Sequence, residues 1–225
     1  MIGFLFFSSD CRRVRCEERV ICGGRFCCAF LPAKPRKGQI RKAARLLKKR
    51  QVLRAVFPED CSHMALWQKQ GIEAMDSIAF RVALLPRILS WALDGKTCVR
   101  AGIFAQRGDF RAQKAAELLV RRSRYLYLDC GQETEELATM LRRDYGVAAI
   151  MRSIKEQLRC CDVLILFAPC EGAERCGKIL SFFKESPAIW RYRFRDERNG
   201  RGENEQMMAA LWEMGRLRAE DIQIF

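Results

Sequence analysis

The chain has 225 residues, 49% of them hydrophobic and 30% charged, with 41 Lys and Arg against 27 Asp and Glu for a formal net charge of +14. These are the proportions of a soluble globular protein rather than a disordered or fibrous one, and the length suffices for one large or two small domains. The charge is unevenly placed: twelve basic and no acidic residues lie between positions 19 and 58, leaving 29 basic and 27 acidic elsewhere, so any electrostatic function belongs to that segment.

The opening apolar run, residues 2–7, reads as a strand. It is too short, and lacks the basic flank and small-residue cleavage site, for a secretory leader. Alternating residues at 12–16 and 19–22, joined through Glu17-Glu18, lead to Gly23-Gly24, which supplies the positive φ angles of a hairpin turn before 25–31 returns. Pro32 and Pro35 end this meander. A helix over 37–50 places Ile40, Ala43, Ala44 and Leu47 on one face and Arg41, Lys42, Arg45, Lys48 and Lys49 on the other. A strand at 52–57, a short helix at 62–70 and a short strand at 72–75 follow. Asp76 or Ser77 caps a helix running to about residue 93, kinked near Pro86. That segment is strongly apolar, but Arg81, Pro86 and Arg87 mark it as a buried helix, not a membrane span. Gly95-Lys96 divides the chain into an N-terminal subdomain, 1–95, and a second subdomain, 96–225.

Beyond that boundary, strands at 99–105, 125–129, 147–151 and 163–167 alternate with helices at 110–122, 133–145 and 153–158. Asp109 starts the first of these helices and Gly146 stops the second. The segments 125–128 and 163–167 are apolar without alternation, as suits central strands of a parallel sheet covered on both faces. A weak helix at 172–183, a strand at 189–194, a polar loop at 199–202, a helix at 204–217 and a strand at 221–225 complete the expected order. The expected fold is therefore α/β: an N-terminal β-meander plus βαβ subdomain, then a Rossmann-like, mostly parallel sheet with helices on both faces.

The first strand of the second subdomain runs into Gln106-Arg107-Gly108-Asp109, the second ends at Asp129, and the fourth is followed by Ala168-Pro169. On this layout, residues 98–183 resemble the Rossmann-type domains of dinucleotide-dependent dehydrogenases, the shikimate dehydrogenase family in particular, where a small domain also precedes the nucleotide domain. The resemblance implies NAD(P) as cofactor, Asp129 near the ribose and an oxidoreductase activity. The glycine fingerprint of that site is missing, since its three positions hold Ala105, Arg107 and Phe110. The residues themselves suggest a modified anion site instead. Arg107 would supply a bidentate charge, Gly108 a backbone N–H, and Asp129 or Gln132 a sugar contact for a small anionic or nucleotide-type ligand.

The alternative is a nucleic-acid or anionic-surface binder acting through the 19–58 segment, with Arg41, Lys42, Arg45, Lys48 and Lys49 as the contacting residues. No catalytic set is assigned. Twelve cysteines occur without a Cys-x-x-Cys. With no export signal they read as reduced thiols of a cytoplasmic protein, packed mostly as small hydrophobes. The spacing of Cys11, Cys16, Cys22 and Cys27 matches no diagnostic metal motif, so no metal is expected. His63, the only histidine, reads as a solvated residue at a helix start. The 190–195 segment alternates aromatics and arginines as an edge strand would.

Overall fold

A computed structural model of the chain describes residues 1–58, 61, 63–94, 98–157, 161–183, 192–194 and 204–224. It divides into two compact units, Met1–Phe80 with Tyr192–Gln223 and Arg81–Arg191 with Ile224–Phe225. The expected boundary at Gly95-Lys96 and the loop at 199–202 lie outside the described residues. So does the 190–195 alternation, apart from the backbone of 192–194.

The first unit is built on a five-stranded sheet. Its strands are β1 (Ile2–Ser8), β2 (Arg15–Ile21), β3 (Gly24–Pro32), β4 (Arg54–Val56) and β5 (Glu73–Ala74), in the order β2-β3-β1-β4-β5. The hairpin of the expected meander is the antiparallel β2–β3 pair. β1 lies parallel to both β3 and β4, and β4 parallel to β5. Glu17 and Glu18 lie within β2, which runs unbroken across them. The register Ile21↔Gly24 makes Cys22 and Gly23 the two turn residues, with φ of 47° and 75°. The turn therefore sits one residue earlier than expected. Gly24 serves packing instead: a Cβ there would lie 2.7 Å from Leu211 and 2.8 Å from Met214.

Helix α1 (Lys37–Lys49) connects β3 to β4 and buries Ile40, Ala43, Ala44 and Leu47, the four residues its periodicity selects. They join Leu5, Cys27, Ala29, Leu31 and Trp67 in one core. Helix α2 (Met64–Lys69) leads to β5 and sets the Trp67 ring edge-on to Phe57, with centroids 5.7 Å apart. A row of phenylalanines, Phe4, Phe6 and Phe30, also stacks along the sheet at centroid separations of 4.6 and 5.0 Å.

The last helix of the chain, α8 (Glu205–Glu213), belongs to this first unit. The Asn204 side chain caps it by accepting from the Met207 N–H, and also donates to the Phe57 carbonyl at 3.1 Å. The Phe57 N–H donates to Gln206 at 2.9 Å, and Arg54 makes a two-pronged ion pair with Glu213. Strands β11 (Tyr192–Phe194) and β12 (Ile222–Ile224) form a separate two-stranded sheet.

The apolar 77–93 segment is two helices, α3 (Ile78–Ala83) and α4 (Leu85–Leu93). The Ile78 N–H donates to Asp76 at 2.9 Å. Pro86 falls in the first turn of α4, where a missing N–H interrupts no helical hydrogen bond.

The second unit contains β6 (Cys98–Phe104), β7 (Ser123–Asp129), β8 (Ile150–Met151), β9 (Val163–Leu166) and β10 (Ile179–Ser181). They are ordered β10-β9-β6-β7-β8, and every neighbouring pair is parallel. Helices α5 (Phe110–Val120), α6 (Thr134–Tyr145) and α7 (Ile154–Gln157) lie between successive strands. All four residues of β9 are buried, as an apolar strand without alternation requires when both faces are covered. Residues 172–183 correct an expectation. Gly172 takes φ of 80° and opens a single 3₁₀ turn, Ala173–Arg175, after which Ile179–Ser181 pairs with β9. The short apolar run at 179–183 fits helix and strand alike, and the open edge beside β9 decides for strand. Numbered from the first strand of this sheet, the order is 3-2-1-4-5, the first five strands of a doubly wound 3-2-1-4-5-6 sheet. The unit is Rossmann-like.

Candidate ligand site at the switch point

From β6 the chain proceeds to β7 and β8 on one side, and later to β9 and β10 on the other. The reversal falls between β6 and β9. In open α/β sheets, ligands lie beyond the carboxyl ends of the strands at this reversal. Three loops form the rim here: 105–109 after β6, 130–133 after β7, and 167–170 after β9.

Asp109 is the N-cap of α5. One of its carboxylate oxygens accepts from the backbone N–H of Arg111 at 2.9 Å and of Ala112 at 3.3 Å, and the other accepts from the Arg111 guanidinium at 2.7 Å. Burial pushes this carboxyl up, but the Arg111 guanidinium and the two backbone donors outweigh it and hold its pKa below the ordinary aspartate value. The same guanidinium lies over the Phe167 ring, 5.6 Å from its centroid. Phe167 in turn meets Phe182 at 5.6 Å. The helix start is thus tied to the tip of β9.

Gly108 is half-buried, and its N–H points to Glu133 Oε2 at 3.4 Å. A Cβ at 108 would lie 2.7 Å from the Glu133 Cβ. Gly131, at φ 64°, fits as closely: a Cβ there would lie 2.4 Å from the Gln106 carbonyl oxygen. The turn after β6 and the 3₁₀ turn Gly131–Glu133 therefore interlock. The Glu133 carboxylate stands beside a backbone N–H at a helix N-terminus, where an anion is electrostatically favoured.

Asp129 is half-buried. Its main-chain carbonyl accepts from the Ala105 N–H at 2.9 Å, and its side-chain Oδ2 accepts from the Ile154 N–H at 2.9 Å, which ties the start of α7 to the end of β7. Cys130 beside it is buried, and burial, with the charge of Asp129 adding to it, pushes its thiol up to about 12. Arg107 and Gln132 are exposed on the same rim.

Of the four expected residues, Gly108 already hydrogen-bonds to a carboxylate and Asp129 to a helix start, while Arg107 and Gln132 face solvent. Glu133 is the residue that sequence reasoning did not single out. It stands 25 positions from Gly108 in the chain, and no spacing motif links the two.

The residues do not fit a dinucleotide pyrophosphate in the usual manner. Arg107 and Phe110 occupy two fingerprint positions, with Phe110 70% exposed, and Asp109 and Glu133 place two carboxylates at the helix start. Neither carboxylate leaves the backbone bare for a diphosphate.

In the first unit, Arg41, Lys42, Arg45, Lys48 and Lys49 are all exposed on α1. His63 is exposed at the start of α2. Burial pushes the Cys16 and Cys28 thiols up to about 11. Among the described residues, no three His, Cys, Asp or Glu side chains are grouped so as to hold a metal ion, and no helix is long and apolar enough to cross a membrane.

No protein-family model and no curated protein matches the sequence. Among solved structures, the chain is similar to L-tryptophan dehydrogenase from Nostoc punctiforme, at 8% identity and a TM-score of 0.36, over 87% of this chain and 57% of that one. It is also similar to HcgC from Methanococcus maripaludis, crystallised with SAH and pyridinol (11% identity, TM-score 0.30, 62% of this chain and 64% of that one). A third similarity is to a protein from Trypanosoma cruzi described as an aspartate carbamoyltransferase (15% identity, TM-score 0.33, 94% and 81%). The chain thus spans less than two thirds of the first two proteins.

Proposed function

We propose that the second unit binds a small phosphorylated ligand of nucleotide type on the rim formed by the loops after β6 and β7, and that Glu133 occupies the phosphate seat when no ligand is bound. The observation that carries this reading is the Glu133 carboxylate beside the Gly108 N–H at the start of α5. A carboxylate and a phosphate answer the same donors at a helix N-terminus, so one can exchange for the other. The contact is long, at 3.4 Å, and a long hydrogen bond is cheap to give up.

Arg107 is exposed beside this position and offers a two-pronged contact to phosphate. Gln132 is exposed within the same interlocked turns, and Asp129 has a second carboxylate oxygen for a sugar hydroxyl. The reading is one of binding, and no reaction is attached to it.

Titration with AMP and with inorganic phosphate tests it. Glu133→Gln removes a negative charge from the seat and should tighten AMP binding about tenfold, while Arg107→Ala should weaken it about tenfold, the scale of one charge-assisted hydrogen bond. Equal affinities in wild type and both variants would remove the seat and its anchor together.

A further inference from the structure

The five cations of α1 have no part in the rim, and the fold leaves them as a continuous charged face. Arg41, Lys42, Arg45, Lys48 and Lys49 are exposed, and none forms an ion pair with a described residue. Their spacing by three and four residues aligns them along one side of the helix. At a rise of about 1.5 Å per residue, the stripe from 41 to 49 is about 12 Å long. Lys34, Arg36 and Lys37, also exposed, extend it at the N-terminal end.

What meets such a face is decided by what the helix lacks. Ile40, Ala43, Ala44 and Leu47 are already buried against the sheet, so α1 has no apolar face left to insert into lipid. The outer face also carries no aromatic side chain on which an unpaired base could stack. Lys and Arg alone suit the regular phosphates of a duplex, contacted without regard to sequence.

We propose that the outer face of α1 is an electrostatic contact surface for the sugar–phosphate backbone of double-stranded nucleic acid. It is a function separate from the rim of the second unit, and it uses none of the residues assigned there.

The test is fluorescence anisotropy of the full chain with a labelled duplex of arbitrary sequence, titrated at several salt concentrations. Five phosphate contacts predict a log–log salt slope of about −4.5, hence about a 500-fold loss of affinity between 50 and 200 mM salt. Lys48→Ala with Lys49→Ala should reduce the slope to about −2.7, a loss of about 40-fold over the same range. Arg142→Ala with Arg143→Ala, exposed positions on α6, removes the same charge elsewhere and should leave the slope unchanged. Alanine suits an exposed helical position, and circular dichroism of each variant verifies that the fold is kept. Equal slope changes in the two pairs would reduce the effect to net charge and overturn the proposal. Binding to phosphatidylserine vesicles without binding to duplex would overturn it in favour of a membrane surface.

Discussion

Gly131 shows most sharply how single residues shape the rim. Its φ of 64° lies in the left-handed region, and a Cβ would press on the Gln106 carbonyl oxygen at 2.4 Å, which is backbone and cannot rotate away. Gly131→Ala should therefore cost about 2 kcal/mol or more in urea unfolding. Because the 130–133 loop positions Glu133, the same change should also disturb the Gly108 amide. Stability equal to wild type would mean that the two turns are not locked as described. The chemistry at this scale is conspicuously polar. Three carboxylates, Asp109, Asp129 and Glu133, each accept from a backbone N–H on or next to the rim.

Among the elements, α5 depends on its cap. Asp109 satisfies the Arg111 and Ala112 N–H groups, so Asp109→Ala should cost about 1 kcal/mol. The sign of its pH dependence follows from its lowered pKa. The advantage of the wild type is complete above the ordinary aspartate value of 3.8 and is lost as pH falls through the lower folded value. Urea unfolding of both proteins between pH 2 and 7 measures this, and a difference that grew in acid would contradict it. This cap was legible in the sequence, because an aspartate followed by alanines at helical spacing is a local signal. So were the buried face of α1 and the strand β9, whose unbroken apolar run reflects burial on both faces. β7 departs from that expectation, because Tyr125 is 40% exposed and Tyr127 half-buried, so only Leu126 and Leu128 of its apolar run are buried. Neither β10 nor the place of α8 in the first unit could be read in this way. Both depend on partners distant in the chain: β9 for one, and Phe57, Arg54 and Gly24 for the other. The candidate site divides similarly. The turn, the cap and the end of β7 are local and were legible, whereas the seating of Glu133 against Gly108 arises only when two loops meet.

For the molecule as a whole, the +14 charge and the Rossmann-like sheet are two separate facts, one behind each of the two proposed sites. The charge excess is concentrated in residues 19–58 of the first unit, and the proposed anion seat lies at Gly108 and Glu133 of the second. The proposed nucleic-acid contact and the proposed small-ligand site should therefore answer to different variants and different salt dependence. The backbone amide of Gly108 reports directly on the proposed seat. Its ¹H–¹⁵N resonance should move more than that of any residue outside the 105–109 and 130–133 loops as AMP is added, and Glu133→Gln should bring it to saturation at about tenfold lower AMP. A Gly108 resonance that stays still while AMP binds and shifts residues elsewhere would contradict the account.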